Sequence, residues 1–342
     1  MADGDDIVAE VARAVGLAEG ESGVRAVVSA LARLEPVSIR RISRASGLPV
    51  PIVASVCGEL RKRNLVAQER PAQLSRVGRE VFAAGRLRLG SSACTACSGT
   101  TLTLSNELAH SVHDVAKMAR DAPRPRYDLD QCHCTVETKI LRVLALHEAD
   151  ALVGRRILLL GDDDFVSQAI ATVVRRLGSA TTVAALTVLD VDPAVIGFAR
   201  KRLAGAPFPV VCLRHDLRDP LPTALDACFD TIVTDPPYTP DGARLFLSRA
   251  AAAVREGGRV FLSFGSKRPD AACGLQRDIA RMGFVVQSLV PDFNRYVGAG
   301  VLGGTSDLYR LVATRKVRPL VRGRFDGPLY TAEIRAGDAV SN

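Results

Sequence analysis

The chain has 342 residues, of which 47% are hydrophobic and 24% charged, as expected for a globular protein of about two domains. Its longest apolar runs are too short to cross a bilayer, and the acidic N-terminus lacks the apolar segment of a secretory signal. Eight cysteines without such a signal indicate reduced thiols or a metal site rather than a disulfide framework. We therefore expect a cytoplasmic protein with no membrane-embedded part.

The formal net charge of +8 is concentrated near the N-terminus. Residues 33–88 contain twelve Lys and Arg and four Asp and Glu, so this segment alone accounts for the whole excess. A basic surface indicates nucleic acid or another acidic partner. Here that inference applies to one segment and not to the molecule.

Residues 24–88, which follow an N-terminal extension (1–23), have the outline of a winged helix-turn-helix domain. Ser38 is placed to cap a short helix that Gly47 ends, and Pro51 suits the first turn of the next helix. Residues 65–68 and 73–75 predict a two-stranded wing. Such a domain reads DNA in some proteins and serves for dimerisation, or as the roof of an active site, in others. We favour the structural use, and expect a homodimer with weak nucleic-acid binding at most.

Residues 89–135 form a cysteine-containing connector. Cys94, Cys97, Cys132 and Cys134 supply four thiols, enough for a tetrahedral structural zinc. The second pair is spaced by a single residue, unlike common zinc ribbons, so reduced thiols are the favoured interpretation. We expect no catalytic metal.

Residues 136–318 show the alternation of strands and helices that predicts a doubly wound, Rossmann-like sheet. Helices are expected between the first five strands, and the last two strands are expected to form an antiparallel pair at the edge. A basic tail (319–342) is left without an assignment. The predicted strands are Arg156–Leu160, Ala184–Asp190, Val210–Leu213, Thr231–Thr234, Arg259–Phe264, Phe284–Leu289 and Leu308–Thr314.

Acidic motifs follow each of the first four predicted strands, at the edge where such sheets bind ligands. A carboxylate after the second strand is placed to accept the ribose hydroxyls of a nucleoside, and one after the third can face the adenine amino group. A lone Asp there is more often a helix cap or turn residue, but four in consecutive loops favour a nucleoside site. The motifs are Gly161-Asp162-Asp163-Asp164, Asp190, Asp216 and Asp235-Pro236-Pro237-Tyr238.

The first of these loops lacks the glycine-rich turn of S-adenosylmethionine enzymes. Only Gly161 remains, and three adjacent carboxylates should repel the carboxylate of S-adenosylmethionine. Decarboxylated S-adenosylmethionine lacks that group, and a polyamine acceptor adds further positive charge. The motif therefore favours a polycationic ligand over its alternatives, a divalent-metal site and a capped helix start.

The Asp-Pro-Pro-Tyr loop indicates an amine nucleophile. In methyltransferases that act on adenine or cytosine, this motif holds the exocyclic amine near the sulfonium. Asp235 and backbone carbonyls would steer the amine, and Tyr238 would stack or donate a hydrogen bond. The motif favours an amine acceptor strongly and a DNA base only weakly, and its prolines alone would also suit a rigid turn.

Together with Leu129-Asp130-Gln131, these motifs resemble the branched-chain polyamine synthases, which are N4-aminopropyltransferases. The resemblance covers about residues 24–314. It implies transfer of an aminopropyl group from decarboxylated S-adenosylmethionine, a co-substrate, to the secondary amine of spermidine or a similar polyamine. It implies Asp163 as the proton acceptor. Substrate contacts are assigned to Asp162, Asp164, Asp235 and Tyr238, and donor contacts to Gly161, Asp190, Asp216 and Pro236.

Two alternatives remain open. One is a methyltransferase that uses S-adenosylmethionine to modify an amine of a nucleic acid. The other is a non-catalytic regulator whose α/β domain senses a small molecule. The ligand separates them, since aminopropyl transfer requires the decarboxylated donor.

Overall fold

The computed structural model describes residues 4–82, 102–104, 106–176, 183–265, 269–298 and 304–334. The chain divides into two compact units, one formed by Met1–Ala93 with Gly298–Thr305 and the other by Cys94–Val297 with Ser306–Asn342. Within the described ranges, no helix is both long and apolar enough to cross a membrane.

The first unit contains five helices in its described part. Ser38 caps the third, its hydroxyl accepting a hydrogen bond from the N–H of Arg41, and Gly47 ends it with a φ of 73°, as the sequence predicts. The N-terminal extension is not separate, because Val8 and Val11 are buried in the core of this unit. The helices are α1 (Gly4–Val15), α2 (Gly20–Leu34), α3 (Ile39–Ser46), α4 (Val50–Lys62) and α5 (Arg76–Val81).

The two segments of the predicted wing lie side by side, paired by an isolated antiparallel bridge between Val66 and Leu74. A second bridge joins Val37, which precedes α3, to Ala72. The wing is less extensive than predicted, because each pairing is a single bridge and not a continuous ladder of hydrogen bonds.

In the described part of the second unit, three helical segments precede the sheet: α6 (Asn106–Ala119), a 3-10 turn (Tyr127–Leu129) and α7 (Val136–Glu148). Leu108 and Val115 of α6 are buried in the core of the sheet domain. The segment expected as a connector therefore contributes a helix to this domain.

Seven strands form one sheet in the order β3-β2-β1-β4-β5-β7-β6. The first five are parallel, and β7 lies antiparallel between β5 and the edge strand β6. This is the predicted Rossmann-like architecture. The strands are β1 (Arg156–Leu160), β2 (Ala185–Asp190), β3 (Val210–Arg214), β4 (Phe229–Thr234), β5 (Val254–Phe264), β6 (Phe284–Arg295) and β7 (Thr305–Ala313).

Helices cover both faces of the sheet. The connection from β3 to β4 differs from the prediction, because it contains only a 3-10 turn (Thr223–Leu225). The other connections hold α8 (Val166–Arg176), α9 (Pro193–Leu203), α10 (Pro240–Ala253) and α11 (Pro269–Arg281).

Strand β1 shows why this sheet needs two covering layers. Ile157 and Leu159 belong to one apolar cluster with α7 and α8, whereas Leu158 and Leu160 belong to another with α10 and α11. Because successive side chains of a strand point to opposite faces, a continuously apolar strand is stable only when both faces are buried.

The C-terminal segment also belongs to the sheet domain. Leu329 and Tyr330 are 1% and 6% exposed and join the cluster that holds α10 and α11. The guanidinium of Arg249 on α10 donates to four carbonyl oxygens, which belong to Leu217, Arg218, Val321 and Gly323. The sequence left this segment as an unassigned tail, since no periodic pattern marks it.

Candidate active site

A cleft of about 520 Å³ lies at the carboxyl ends of the parallel strands. Five of the residues singled out from the sequence line it: Gly161, Asp163, Asp190, Asp216 and Asp235. Parallel strands bring their following loops to one edge of a sheet, and the four acidic loops therefore meet there. Asp162, Asp164, Pro236 and Tyr238 are not part of the lining, and Pro237 lines the cleft where Pro236 was expected.

The turn after β1 depends on Gly161. Its φ is +75°, a left-handed conformation that other residues rarely adopt, and its N–H donates to the carbonyl of Leu189 at 2.8 Å. A Cβ at this position would lie 3.7 Å from the Phe246 ring, so conformation rather than space requires glycine.

Asp190 and Asp216 are oriented by main-chain N–H groups. The carboxylate of Asp190 accepts from the N–H of Asp162 at 2.9 Å and from that of Asp192 at 2.8 Å. Asp216 accepts from the N–H of Arg218 at 2.9 Å. Burial raises the pKa of Asp190 above its ordinary value, with the neighbouring Asp192 adding to the effect. Both carboxylates are held in place at the cleft.

Asp162 serves the start of α8. Its carboxylate accepts from the N–H of Ser167 at 3.2 Å and from the Ser167 hydroxyl. Burial raises the pKa of Asp162 to about 7 against these hydrogen bonds. These contacts match the capped-helix alternative for this motif. Asp162 does not line the cleft, and the substrate contact expected of it stays a prediction.

Asp164 is buried and paired with two cations. Its carboxylate accepts from Arg142 Nη1 at 2.7 Å and lies 3.8 Å from Lys139 Nζ, and it also accepts from the N–H of Cys134. Burial opposes its ionisation, but Arg142 and Lys139 outweigh burial and hold the pKa of Asp164 below its ordinary value. Asp164 is thus an internal counter-ion rather than a residue of the cleft wall.

Arg142 of α7 joins the first acidic loop to the Asp-Pro-Pro-Tyr loop. Besides Asp164, its guanidinium donates to Asp235 Oδ2 at 2.7 Å, to Asn294 Oδ1 at 2.7 Å and to the Tyr296 hydroxyl at 3.1 Å. The side chain is 3% exposed. A buried guanidinium is stable only when its donors are satisfied, and these acceptors provide that.

The sequence reasoning missed Arg142. The available signal was the pair Lys139 and Arg142, three residues apart within the apolar stretch of α7. Lys and Arg are almost never fully buried unless paired, so two cations on the buried face of a helix predict carboxylates nearby.

Only one of the two carboxylate oxygens of Asp235 accepts a hydrogen bond from the described residues. Its Oδ2 accepts from Arg142 and, at 2.6 Å, from the Tyr296 hydroxyl, while its Oδ1 is buried and has no hydrogen-bond partner in the described part of the chain. Burial raises the pKa of Asp235 to about 6 although Arg142 favours the carboxylate. Asp235 thus lines the cleft with one carboxylate oxygen that lacks a hydrogen-bond partner among the described residues.

Tyr238 is linked to Asp235 through the Tyr296 hydroxyl. Its hydroxyl donates to the Tyr296 hydroxyl at 3.0 Å, which in turn lies 3.0 Å from Ser306 Oγ. Its ring stacks on Phe264, with centroids 5.4 Å apart and an angle of 16°. The stacking and hydrogen bonding expected of Tyr238 are present, but with protein groups.

Asp163 differs from the other two members of its loop. It lines the cleft, and its carboxylate accepts one hydrogen bond, from the N–H of Cys132 at 3.2 Å. Within the described ranges no ion pair is formed by Asp163. Burial, reinforced by the charges of Asp164, Asp190 and Asp235, raises its pKa well above the ordinary value.

Several further lining residues were given no role from the sequence, among them His215, Leu329 and Tyr330. Asp130, noted only for its place in the family motif, also lines the cleft and accepts from the N–H of Thr331 at 2.8 Å. The contribution of the C-terminal segment has no local sequence signal, because it arises from a contact across 201 positions of the chain.

The cysteine prediction is only partly accessible to the structure. Cys94 and Cys97 lie outside the described residues. Burial raises the pKa of the Cys134 thiol, and Cys132 Sγ lies 3.5 Å from the carbonyl oxygen of Val297. Over the described ranges no group of three or more potential metal ligands occurs. The zinc alternative stays untested.

Comparison with known proteins gives consistent results. Residues 110–324, more than half of the chain, match the family model described as the branched-chain polyamine synthase A C-terminal domain. An uncharacterized protein of Methanocaldococcus jannaschii is 34% identical over 88% of this chain and 76% of its own length. The N(4)-bis(aminopropyl)spermidine synthase of Thermococcus kodakarensis is 30% identical over 82% of this chain and 79% of its own.

A solved structure is similar throughout. The branched-chain polyamine synthase from Thermus thermophilus, in complex with N4-aminopropylspermidine and 5'-methylthioadenosine, superimposes with a TM-score of 0.76 and 25% identity. The match covers 96% of this chain and 98% of that one. With the family model matched over most of its sheet domain, the chain belongs to the branched-chain polyamine synthase family.

Proposed function

We propose that the protein is an aminopropyltransferase. It moves an aminopropyl group from decarboxylated S-adenosylmethionine to the secondary amine of spermidine or a similar polyamine, giving a branched polyamine and methylthioadenosine. Family membership supports the reaction class. The names of the relatives and the ligands of the Thermus thermophilus structure support a spermidine-type acceptor and an adenosyl donor.

The charge of the cleft carries this proposal. Its lining includes the carboxylates of Asp130, Asp163, Asp190, Asp216 and Asp235 and, among the described residues, contains no Lys or Arg. Donor and acceptor are both polycations, so they would relieve the repulsion among these carboxylates. S-adenosylmethionine would bring a further carboxylate into the same field and bind less well.

The nucleoside end of the cleft comprises Asp190 and Asp216. In the proposed complex, Asp190 accepts the ribose hydroxyls and Asp216 faces the adenine amino group. Their main-chain hydrogen bonds fix the two carboxylates before the donor arrives, which lowers the cost of ordering on binding.

The transfer end comprises Asp163 and Asp235. The acceptor amine enters as an ammonium, with a pKa of roughly 10, and must lose a proton before it has a lone pair to attack with. Asp163 takes that proton. Burial and, after it, negative neighbours raise its pKa, and bound polycations would offset those neighbouring charges and favour the carboxylate form that acts as the base.

The transfer step requires no reactant besides the donor and the acceptor. The nitrogen lone pair forms a bond to the carbon next to the sulfonium, the carbon–sulfur bond breaks, and its electron pair returns to sulfur as methylthioadenosine leaves. We assign the orientation of the attacking amine to Asp235, whose Oδ1 has no hydrogen-bond partner among the described residues. Positioning of two bound substrates supplies most of the acceleration.

We propose a winged helix-turn-helix assignment for the first unit, with a structural role. The order α2, α3, α4 and the bridges beside α4 support the assignment. Two cations at the end of α4 already have an anionic partner, because Lys62 and Arg63 each lie 2.6 Å from a carboxylate oxygen of Glu59. A specific DNA footprint at physiological salt, lost when Arg61, Lys62 and Arg63 become Ala, would contradict this role.

The function is tested by incubating the purified protein with decarboxylated S-adenosylmethionine and spermidine and following the polyamine by mass spectrometry. We expect masses increased by one or two aminopropyl units, also in the presence of a metal chelator. S-adenosylmethionine serves as the matched donor and should give neither product nor tighter binding. Methyl transfer to spermidine or to DNA would favour the methyltransferase alternative instead.

A further inference from the structure

The C-terminal segment, residues 329–333, ties together three of the loops that build the cleft. The Leu329 carbonyl accepts from the Thr239 hydroxyl at 2.9 Å, next to the Asp-Pro-Pro-Tyr motif. Thr331 donates through its N–H and its hydroxyl to Asp130, at 2.8 and 2.9 Å. Glu333 pairs with Arg218, two residues beyond Asp216, at 2.6 Å.

Glu333 also fixes the backbone of this segment. Its Oε2 accepts from the N–H of Leu329 at 2.7 Å and from that of Tyr330 at 3.2 Å. One carboxylate thus satisfies two main-chain donors and the Arg218 guanidinium together. These contacts fix the backbone of Tyr330, and its side chain packs in the apolar cluster that holds α10 and α11.

Tyr330 lies at the nucleoside end of the cleft. It lines the cleft together with Asp190 and Asp216 and is 6% exposed. The Arg218 guanidinium covers one face of the ring, 5.0 Å from its centroid. As a residue of the cleft lining, Tyr330 is therefore a candidate for contact with a bound nucleoside.

We propose that Tyr330 binds the adenosyl group of the donor and that residues 329–333 form one wall of the donor site. This rests on the proposed function. The matched family domain ends at residue 324, so the segment lies beyond it. A flat aromatic wall beside carboxylates suits a nucleobase with an amino group, because base–aromatic stacking adds affinity that a saturated polyamine chain does not gain.

The test compares Tyr330→Leu, which keeps apolar volume without an aromatic face, with Tyr330→Phe, which keeps the face. Binding of methylthioadenosine is measured by calorimetry. We expect Tyr330→Leu to weaken it about 10-fold and Tyr330→Phe to bind like the wild-type protein. Tyr127→Leu is the matched control, since Tyr127 is 78% exposed and lies outside the lining.

Steady-state kinetics then assign the effect to one substrate. The KM for decarboxylated S-adenosylmethionine should rise in Tyr330→Leu, and the KM for spermidine should stay unchanged. Unchanged methylthioadenosine affinity would overturn the inference, and so would a loss confined to the spermidine KM, which would place an ammonium on the ring.

Two controls distinguish direct binding by the ring from a structural role and from failure of the enzyme as a whole. Glu333→Gln loosens the segment but keeps the ring, so an equal loss in Tyr330→Phe and Glu333→Gln would show a structural role only and overturn the inference. A wild-type protein that transfers no aminopropyl group refutes the proposed function. A wild-type protein that transfers it while Tyr330→Leu binds the nucleoside normally refutes this inference alone.

Discussion

At the nucleoside end of the cleft, main-chain N–H groups hold Asp190 and Asp216, whereas at the transfer end side chains from distant elements hold Asp235. A main-chain donor comes with the loop itself and adds no net charge. A guanidinium adds a positive charge that must come from elsewhere in the fold. A single substitution can therefore remove a side-chain donor at the transfer end, whereas the donors at the nucleoside end belong to the main chain.

This difference explains how one cleft can combine binding and chemistry. Arg142 offsets the charges of Asp164 and Asp235 while Asp163 keeps no cation among the described residues. The uncompensated carboxylate is thus the one proposed as the base. At the nucleoside end, Asp190 and Asp216 are held by main-chain donors, which carry no net charge.

The largest expected effect separates the two ends directly. Asp163→Asn removes the proposed base while keeping its size, and turnover should fall by about 10²–10⁴-fold with methylthioadenosine binding retained. Asp190→Ala should first weaken methylthioadenosine binding. Calorimetry and single-turnover rates at saturating substrates distinguish the two. Near-normal turnover of Asp163→Asn would show that Asp163 is not the base and would favour Asp235 in that role.

Removing Arg142 should damage the transfer end and the fold together. Arg142→Leu leaves the buried Asp164 and Asp235 without their shared cation, and we expect the free energy of unfolding to fall by about 3–5 kcal/mol. Denaturant unfolding at neutral pH measures this.

The matched control for Arg142 is Arg155→Leu, which removes a pair with the 73% exposed Asp150. This surface pair should contribute about 1 kcal/mol or less. Equal losses in the two variants would show that the Arg142 network carries no special stabilisation.

The pH dependence of stability tests the buried Asp162. Its pKa in the folded protein, about 7, lies above the ordinary 3.8, so the folded state holds the proton more tightly and stability falls as pH rises between these values. Asp162→Asn should reduce the stability lost between pH 5 and 8 by on the order of 2–3 kcal/mol. An unchanged pH profile in urea unfolding would contradict the buried position of this carboxyl group.

The smallest effect is expected for Tyr238, which is linked to Asp235 through Tyr296. Tyr238→Phe removes one hydrogen bond to Tyr296 and leaves the stacking on Phe264, so turnover should fall only about 2- to 10-fold. Tyr296→Phe, which deletes a direct hydrogen bond to Asp235, should cost more. The ratio of the two kcat values checks this order, and the reverse order would place Tyr238 in contact with substrate.

Much of this protein follows from its sequence alone. The apolar strand 156–160 with a glycine directly after it predicts β1 and its turn, because buried parallel strands need continuous apolar runs and a left-handed residue needs glycine. The strand-end carboxylates at 163, 190, 216 and 235 meet in one cleft for the same topological reason.

The tertiary structure decided which carboxylates can face a ligand. Asp162, Asp163 and Asp164 are identical in type and adjacent in sequence, yet one is bound to Ser167, one lines the cleft and one is paired with Arg142. Arg142 and Tyr330 come from segments far from the acidic motifs. Their partners depend on packing between distant elements. The spacing of Lys139 and Arg142 indicates buried cations but does not identify the carboxylates that they meet.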